Sequence, residues 1–189
     1  MYRTAIIAMS IALSAATPAL ADEISDTLNS AIKSYEAGDL GRTNEDLTYA
    51  MQLITQKRGE ALQAFLPEPI DGWELQKSKG SGNGGGLAMF GGGLTASAVY
   101  KRDRDRIEVQ IIAGSPMIAS MAMIFNNPAA IGAQGKLTRI GREKVLIKND
   151  GELQSLVDNR ILVQVSGKGS AEDKEALFRK IDLQGLKDF

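Results

Sequence analysis

The chain has 189 residues, 43% of them hydrophobic and 24% charged, with a net charge of −1 and neither histidine nor cysteine. So mild a balance lacks the basic footprint that nucleic acid or an anionic membrane surface demands. Without imidazole or thiol there is no Ser-His-Asp triad, no Cys-His pair, no disulfide, and no zinc or haem site using those ligands, and no cofactor or metal is expected.

The chain opens with a short basic start at Arg3 and an apolar run from Ala5 to Ala16. That run is too short for a comfortable membrane span. Ala19 and Ala21 then occupy the small-residue positions of a cleavage site, so residues 1–21 read as a secretory signal peptide cut after Ala21. Cleavage removes only Arg3 among the charged residues, leaving 21 basic against 23 acidic side chains. The expected address is the periplasm, with no transmembrane segment left after cleavage and no cysteine for a lipid anchor.

Residues 22–66 read as an antiparallel helical hairpin. Ile24, Leu28, Ala31, Ile32 and Tyr35 fall at helical spacing, and Gly38-Asp39 turns the chain. A longer amphipathic run follows through Leu40, Leu47, Met51, Ile54, Leu62 and Phe65, stopped by Pro67 and Pro69. The string AIKSYEAGDLGRTNEDLTYA resembles a tetratricopeptide helix pair, but no second copy follows and a solenoid needs about three. The hairpin is therefore expected to dock on the rest of the protein, on a second copy, or on a partner.

Residues 67–189 read as an α+β domain. Trp73 and Leu75 alternate with Glu74 and Gln76, and Ala96, Ala98 and Tyr100 alternate with Ser97 and Val99. Ile107, Val109 and Ile111 face away from Arg106, Glu108 and Gln110, the mark of a half-buried antiparallel strand. Ser115-Pro116 opens a helix with Met117, Ile118, Met121, Ile124 and Phe125 as its buried stripe, stopped by Asn126-Asn127-Pro128. Strands are expected around 137–140, 144–148, 153–157 and 161–165, and Ser170 caps a last helix whose apolar face is Leu177, Phe178, Ile181 and Leu186. The predicted fold is thus α+β, a helical hairpin followed by an antiparallel sheet of six or seven strands covered by helices, on one face.

Within this domain the glycine-rich loop 79–94 carries Leu87-Ala88-Met89-Phe90 at its centre. It lacks the Lys-Ser/Thr ending of a phosphate-binding loop and the parallel βαβ unit of a dinucleotide site. Two readings remain: a flexible connector, or an apolar flap. As a flap, Leu87, Met89 and Phe90 would close on Trp73 and Tyr100, which together make the candidate contact residues for a small apolar ligand or a partner.

Other chemistry-bearing sets read as structural. Ser30-Ala31-Ile32-Lys33 fits S-x-x-K but lacks its companion motifs, and a solvated helix face is expected. Asp103 and Asp105 sit among Lys101, Arg102, Arg104 and Arg106, which suits a solvated hairpin turn rather than a general acid. Met89, Met117, Met121 and Met123 are the residue type for Cu(I), yet a core-filling role is expected.

The ordered strings FLPEPIDGWE, SAVYKR, IEVQIIAGSPMIASMAMIFNNP, RIGREKVLIK and NRILVQVSG resemble a family of uncharacterised exported proteobacterial proteins, over roughly Leu66 to Leu186. The strand-helix-strand order also resembles PsbP-like α+β domains, which are non-enzymatic accessory proteins. The resemblance implies a fold and an address and no catalytic residues. Together these readings predict a non-catalytic periplasmic accessory or interaction protein, which meets an envelope protein or itself through the hairpin. The alternatives are a carrier of a small apolar ligand or lipid and, third, an enzyme working through carboxylates, lysine, tyrosine or serine alone.

Overall fold

The computed structural model describes residues 19–76 and 93–189. The body of the expected signal peptide, and Leu87, Met89 and Phe90 of the glycine-rich loop, lie outside the described residues. The chain divides into two compact units, the first ending at Leu53 and the second running from Ile54 to Phe189.

The first unit is helical. α1 (Ala19–Glu36) and the first half of α2 (Leu40–Gln63) run antiparallel, joined at Gly38, whose φ of 77° fits the left-handed turn that ends a helix. Ser30 donates to Asp46 at 2.8 Å and Tyr49 to Glu23 at 2.6 Å, which fixes the antiparallel register. The residues buried in this unit are mostly small: Ala31, Ser34 and Ala50, with Leu53. Small side chains let the two helices approach closely, but they bury little apolar area.

The second unit is built on one seven-stranded sheet, in the order β1-β2-β3-β7-β6-β5-β4, with every neighbouring pair antiparallel. The strands are β1 (Glu74–Gln76), β2 (Leu94–Arg102), β3 (Asp105–Ala113), β4 (Gly135–Ile140), β5 (Glu143–Lys148), β6 (Leu153–Val157) and β7 (Ile161–Lys168). Strict alternation decides the faces, because successive side chains of a strand point opposite ways. Ala98, Val109, Val165 and Leu153 pair in one row across β2, β3, β7 and β6, all on the same face. That face, with Tyr100, Ile107, Ile111 and Val163, packs under α5 (Ala171–Arg179), Leu186 and Leu62 from the end of α2. Ser170 caps α5 by accepting from the Asp173 N–H, as the sequence predicts.

The opposite face is covered as well. α3 (Met117–Phe125) lays Ile118, with Met117 and Met121 beside it, on Ile112, Leu162 and Leu156. The expectation of helices on one face therefore needs correction: Ile112 of β3 and Leu162 of β7 break the polar alternation on the second face, and α3 covers them. Two further corrections follow from local chemistry. Asn127-Pro128 stops α3 but also starts α4 (Pro128–Gln134), with the Asn127 side chain accepting from Ala129 and Ala130 N–H. Leu75, expected inside with Trp73, is 46% exposed, because β1 is three residues long at the sheet edge and all three are solvent-facing.

Candidate functional site

Of the predicted contact residues, Trp73 and Tyr100 are described, and both belong to the core of the sheet unit. Tyr100 is fully buried and donates its phenol O–H to the Pro67 carbonyl. Burial, with the nearby Glu68 charge second, pushes the phenol pKa well above its usual range. Trp73 is 4% exposed, with the Arg102 guanidinium stacked 4.6 Å from its ring centroid. Arg102 in turn grips Asp173 with two hydrogen bonds, 3.1 and 2.6 Å. That grip holds the Asp173 carboxyl below its usual range, helped by Ser170 and by the indole, although the buried indole N–H itself makes no conventional hydrogen bond. Sequence reading placed Arg102 in a solvated turn. The structure places it in a lock joining the end of β2, the segment before β1 and the first turn of α5.

Three cavities are lined without Trp73 or Tyr100. One of about 310 Å³ lies between Ser115 and Ile118 at the start of α3, Arg58, Asn159, Arg160 and Phe189. Its cations are engaged: Arg160 donates to Asp158 and to the Lys187 carbonyl, and Arg58 lies 5.5 Å over the Phe189 ring. A second, of about 370 Å³, lies between the β4–β5 turn and the end of α5, where Arg179 is paired with Glu175. The third, of about 550 Å³, is a groove on α1 beside Asp26, Lys33 and Glu36.

The second sheet face carries a polar row. Gln110, Gln164 and Gln154 stand side by side on β3, β7 and β6. Gln154 and Gln164 both donate to one Glu152 carboxylate oxygen, while Lys148 pairs with the other oxygen at 3.1 Å. Among the described residues no group of three or more acidic side chains is placed to hold a metal ion. Met117 and Met121 are half-buried beside Ile118, whereas Met123 is 69% exposed, about 200° round α3 from Met121, so these three sulfurs do not converge. The Ser30 hydroxyl of the S-x-x-K match is tied to Asp46 rather than to Lys33.

The largest departure from expectation lies on the hairpin. Leu28, Ile32 and Tyr35 of α1 and Leu40, Leu47 and Met51 of α2 read from sequence as the apolar stripes that the hairpin would bury. Instead they are 37%, 55%, 66%, 66%, 45% and 61% exposed. At about 100° per residue, each stripe lies roughly a quarter turn from the buried line of its own helix, Ala31–Ser34 or Ala50–Leu53. Because the helices are antiparallel, those two quarter turns point to the same side. The six side chains therefore share one face.

Its margins are polar, with Ser25, Asn29 and Glu36 on α1 and Asn44 and Thr48 on α2, and Lys33 and Glu36 line a groove with Ile32 on the outer side of α1. The charged residues Glu23, Asp26, Arg42, Glu45 and Asp46 point to the other side or outward, and the Tyr49–Glu23 and Ser30–Asp46 hydrogen bonds lie there. An exposed contiguous apolar face with a polar margin is the anatomy of a docking surface.

No family model, no curated protein and no solved structure matches this chain.

Proposed function

We propose that this protein is a non-catalytic accessory protein of the cell envelope, exported to the periplasm, which works by docking a protein partner on its helical hairpin. One observation carries the reading: Leu28, Ile32, Tyr35, Leu40, Leu47 and Met51 form a single apolar face left in solvent, while mostly small residues fill the inside of the hairpin. A helix pair selected only for its own stability would turn its large side chains inward, where each buries about 1.5–3 kcal/mol worth of apolar surface. Here the large side chains are outside and the small ones inside, so the face is shaped for something other than the hairpin's own packing. The basic start at Arg3, the apolar run from Ala5 to Ala16 and the small residues Ala19 and Ala21 support the address. The absence of histidine and cysteine supports a role in binding rather than bond-making.

The test is site-specific photo-crosslinking in living cells. A photoreactive residue is placed at Ile32 or Leu47 on the face, and at the exposed Glu45 on the other side as control. Adducts at the first two positions and none at the third are expected. Equal labelling at all three, or none anywhere, refutes a docking role for this face.

A further inference from the structure

We infer that the partner on the hairpin face is a second copy of this chain, the two hairpins pairing face to face in a two-fold bundle of four helices. The inference rests on the docking reading above and names its occupant.

Three features of the face favour a copy. The first is charge. A two-fold interface sets each residue against the same patch of its twin, so any charge near the axis meets its like. This face has apolar residues at its centre, and the charges nearest to it, Asp26, Lys33 and Glu36, stand at the rim on the outer side of α1, away from the axis. A face evolved for a strongly charged partner would offer one dominant sign, whereas this rim carries both signs, so that Lys33 of one copy can meet an acidic residue of its twin. The second is area. At their observed exposures the six side chains present on the order of 600 Å² per copy, and the margin residues raise this toward the roughly 800 Å² per partner of a standard stable interface. The third is shape. Leu28, Ile32 and Tyr35 on one helix and Leu40, Leu47 and Met51 on the other make two parallel ridges with a furrow between them. Such a surface is complementary to itself, since the ridges of one copy fill the furrow of the other as in four-helix bundles.

The protein expressed from the full-length gene is examined by sedimentation equilibrium up to tens of micromolar. Wild type is expected at twice the mass of its own mature chain, which lies below the 20.2 kDa of the uncleaved sequence. The double variant Ile32→Glu with Leu47→Glu is expected as monomer, its dissociation constant raised at least about 100-fold by the like charges it brings together. Both positions are exposed, so the variant keeps the wild-type circular dichroism and thermal midpoint of the sheet. Mixing it with Ile32→Lys, Leu47→Lys chains is expected to restore a dimer, which a merely damaged fold would not do. A wild type that stays monomeric, or a mixture that stays monomeric, overturns the second copy. The photo-crosslinks then separate the two ideas. Adducts of Ile32 at a mass other than the dimer leave the docking face standing with a different occupant, whereas no adduct at all removes both.

Discussion

Tyr100→Phe is the sharpest test of how the sheet unit is held together, because it deletes one atom. The Tyr100 side chain is fully buried, and its O–H reaches 33 residues back to the Pro67 carbonyl. Pro67 is itself buried and lies in the link between α2 and β1. Phenylalanine fills the same space, so the apolar packing against Ile107 and its neighbours is kept. What is lost is the hydrogen bond, and the carbonyl is left without its donor, out of water. A buried polar group stranded in this way costs about 1–3 kcal/mol. For a unit of this size each kilocalorie moves the midpoint by about 2–4 °C, so the variant is expected to melt about 2–12 °C lower.

Urea unfolding followed by Trp73 fluorescence checks the free energy, with an unchanged denaturant slope as the sign that the folded state is otherwise intact. A second readout comes from alkaline pH. The folded phenol titrates above its ordinary value of about 10, so both states stay neutral below that pH and the group adds no slope there. Above about 10 the unfolded chain ionises first, and stability falls as pH rises toward the folded value. The variant loses that alkaline slope. Equal stability of the two proteins at neutral pH, together with identical alkaline limbs, would refute the Tyr100–Pro67 tie.

Glycine tests the sheet register in a complementary way. Gly167 has φ 104°, and a Cβ there would lie within 2.3 Å of the Arg106 carbonyl oxygen on the paired strand. Gly167→Ala is expected to cost about 1–3 kcal/mol or more. Gly38→Ala, at φ 77° with open space around it, is expected to cost only about 1 kcal/mol. Comparing their urea midpoints checks the order, and equal midpoints would contradict the β3–β7 pairing. In acid, the depressed Asp173 carboxyl contributes stability that is present above its unfolded pKa of about 3.9 and is lost as pH falls through its lower folded value. Asp173→Asn is expected to lose the acid-sensitive part of the melting curve below about pH 4, and a curve parallel to wild type would show that the Arg102 grip is absent in solution.

Much of the architecture was written locally. Alternation in 107–111, the Ser170 cap and the Gly38 turn each depend on a few adjacent residues, and each reappears in the structure where the pattern puts it. α4 was missed although its signal was present. Asn127-Pro128 is both a stop for the preceding helix and a cap with proline for the next, and only the stop was read. Arg102 was misread for a different reason. Its neighbours in sequence are the charged residues of a turn, while its partners are Trp73 and Asp173, 29 and 71 positions away.

The sequence by itself determined that this chain has amphipathic helices, alternating strands, no imidazole and no thiol, since periodicity and composition are properties of neighbours and counts. Only the tertiary structure decided that the sheet is covered on both faces, that Trp73 and Tyr100 are packing residues, and that the large apolar residues of the hairpin stay in solvent. An amphipathic stripe says that a helix has a side to bury. It does not say against what, and here the small residues Ala31, Ser34 and Ala50 took the inner position because they let the two helices approach closely.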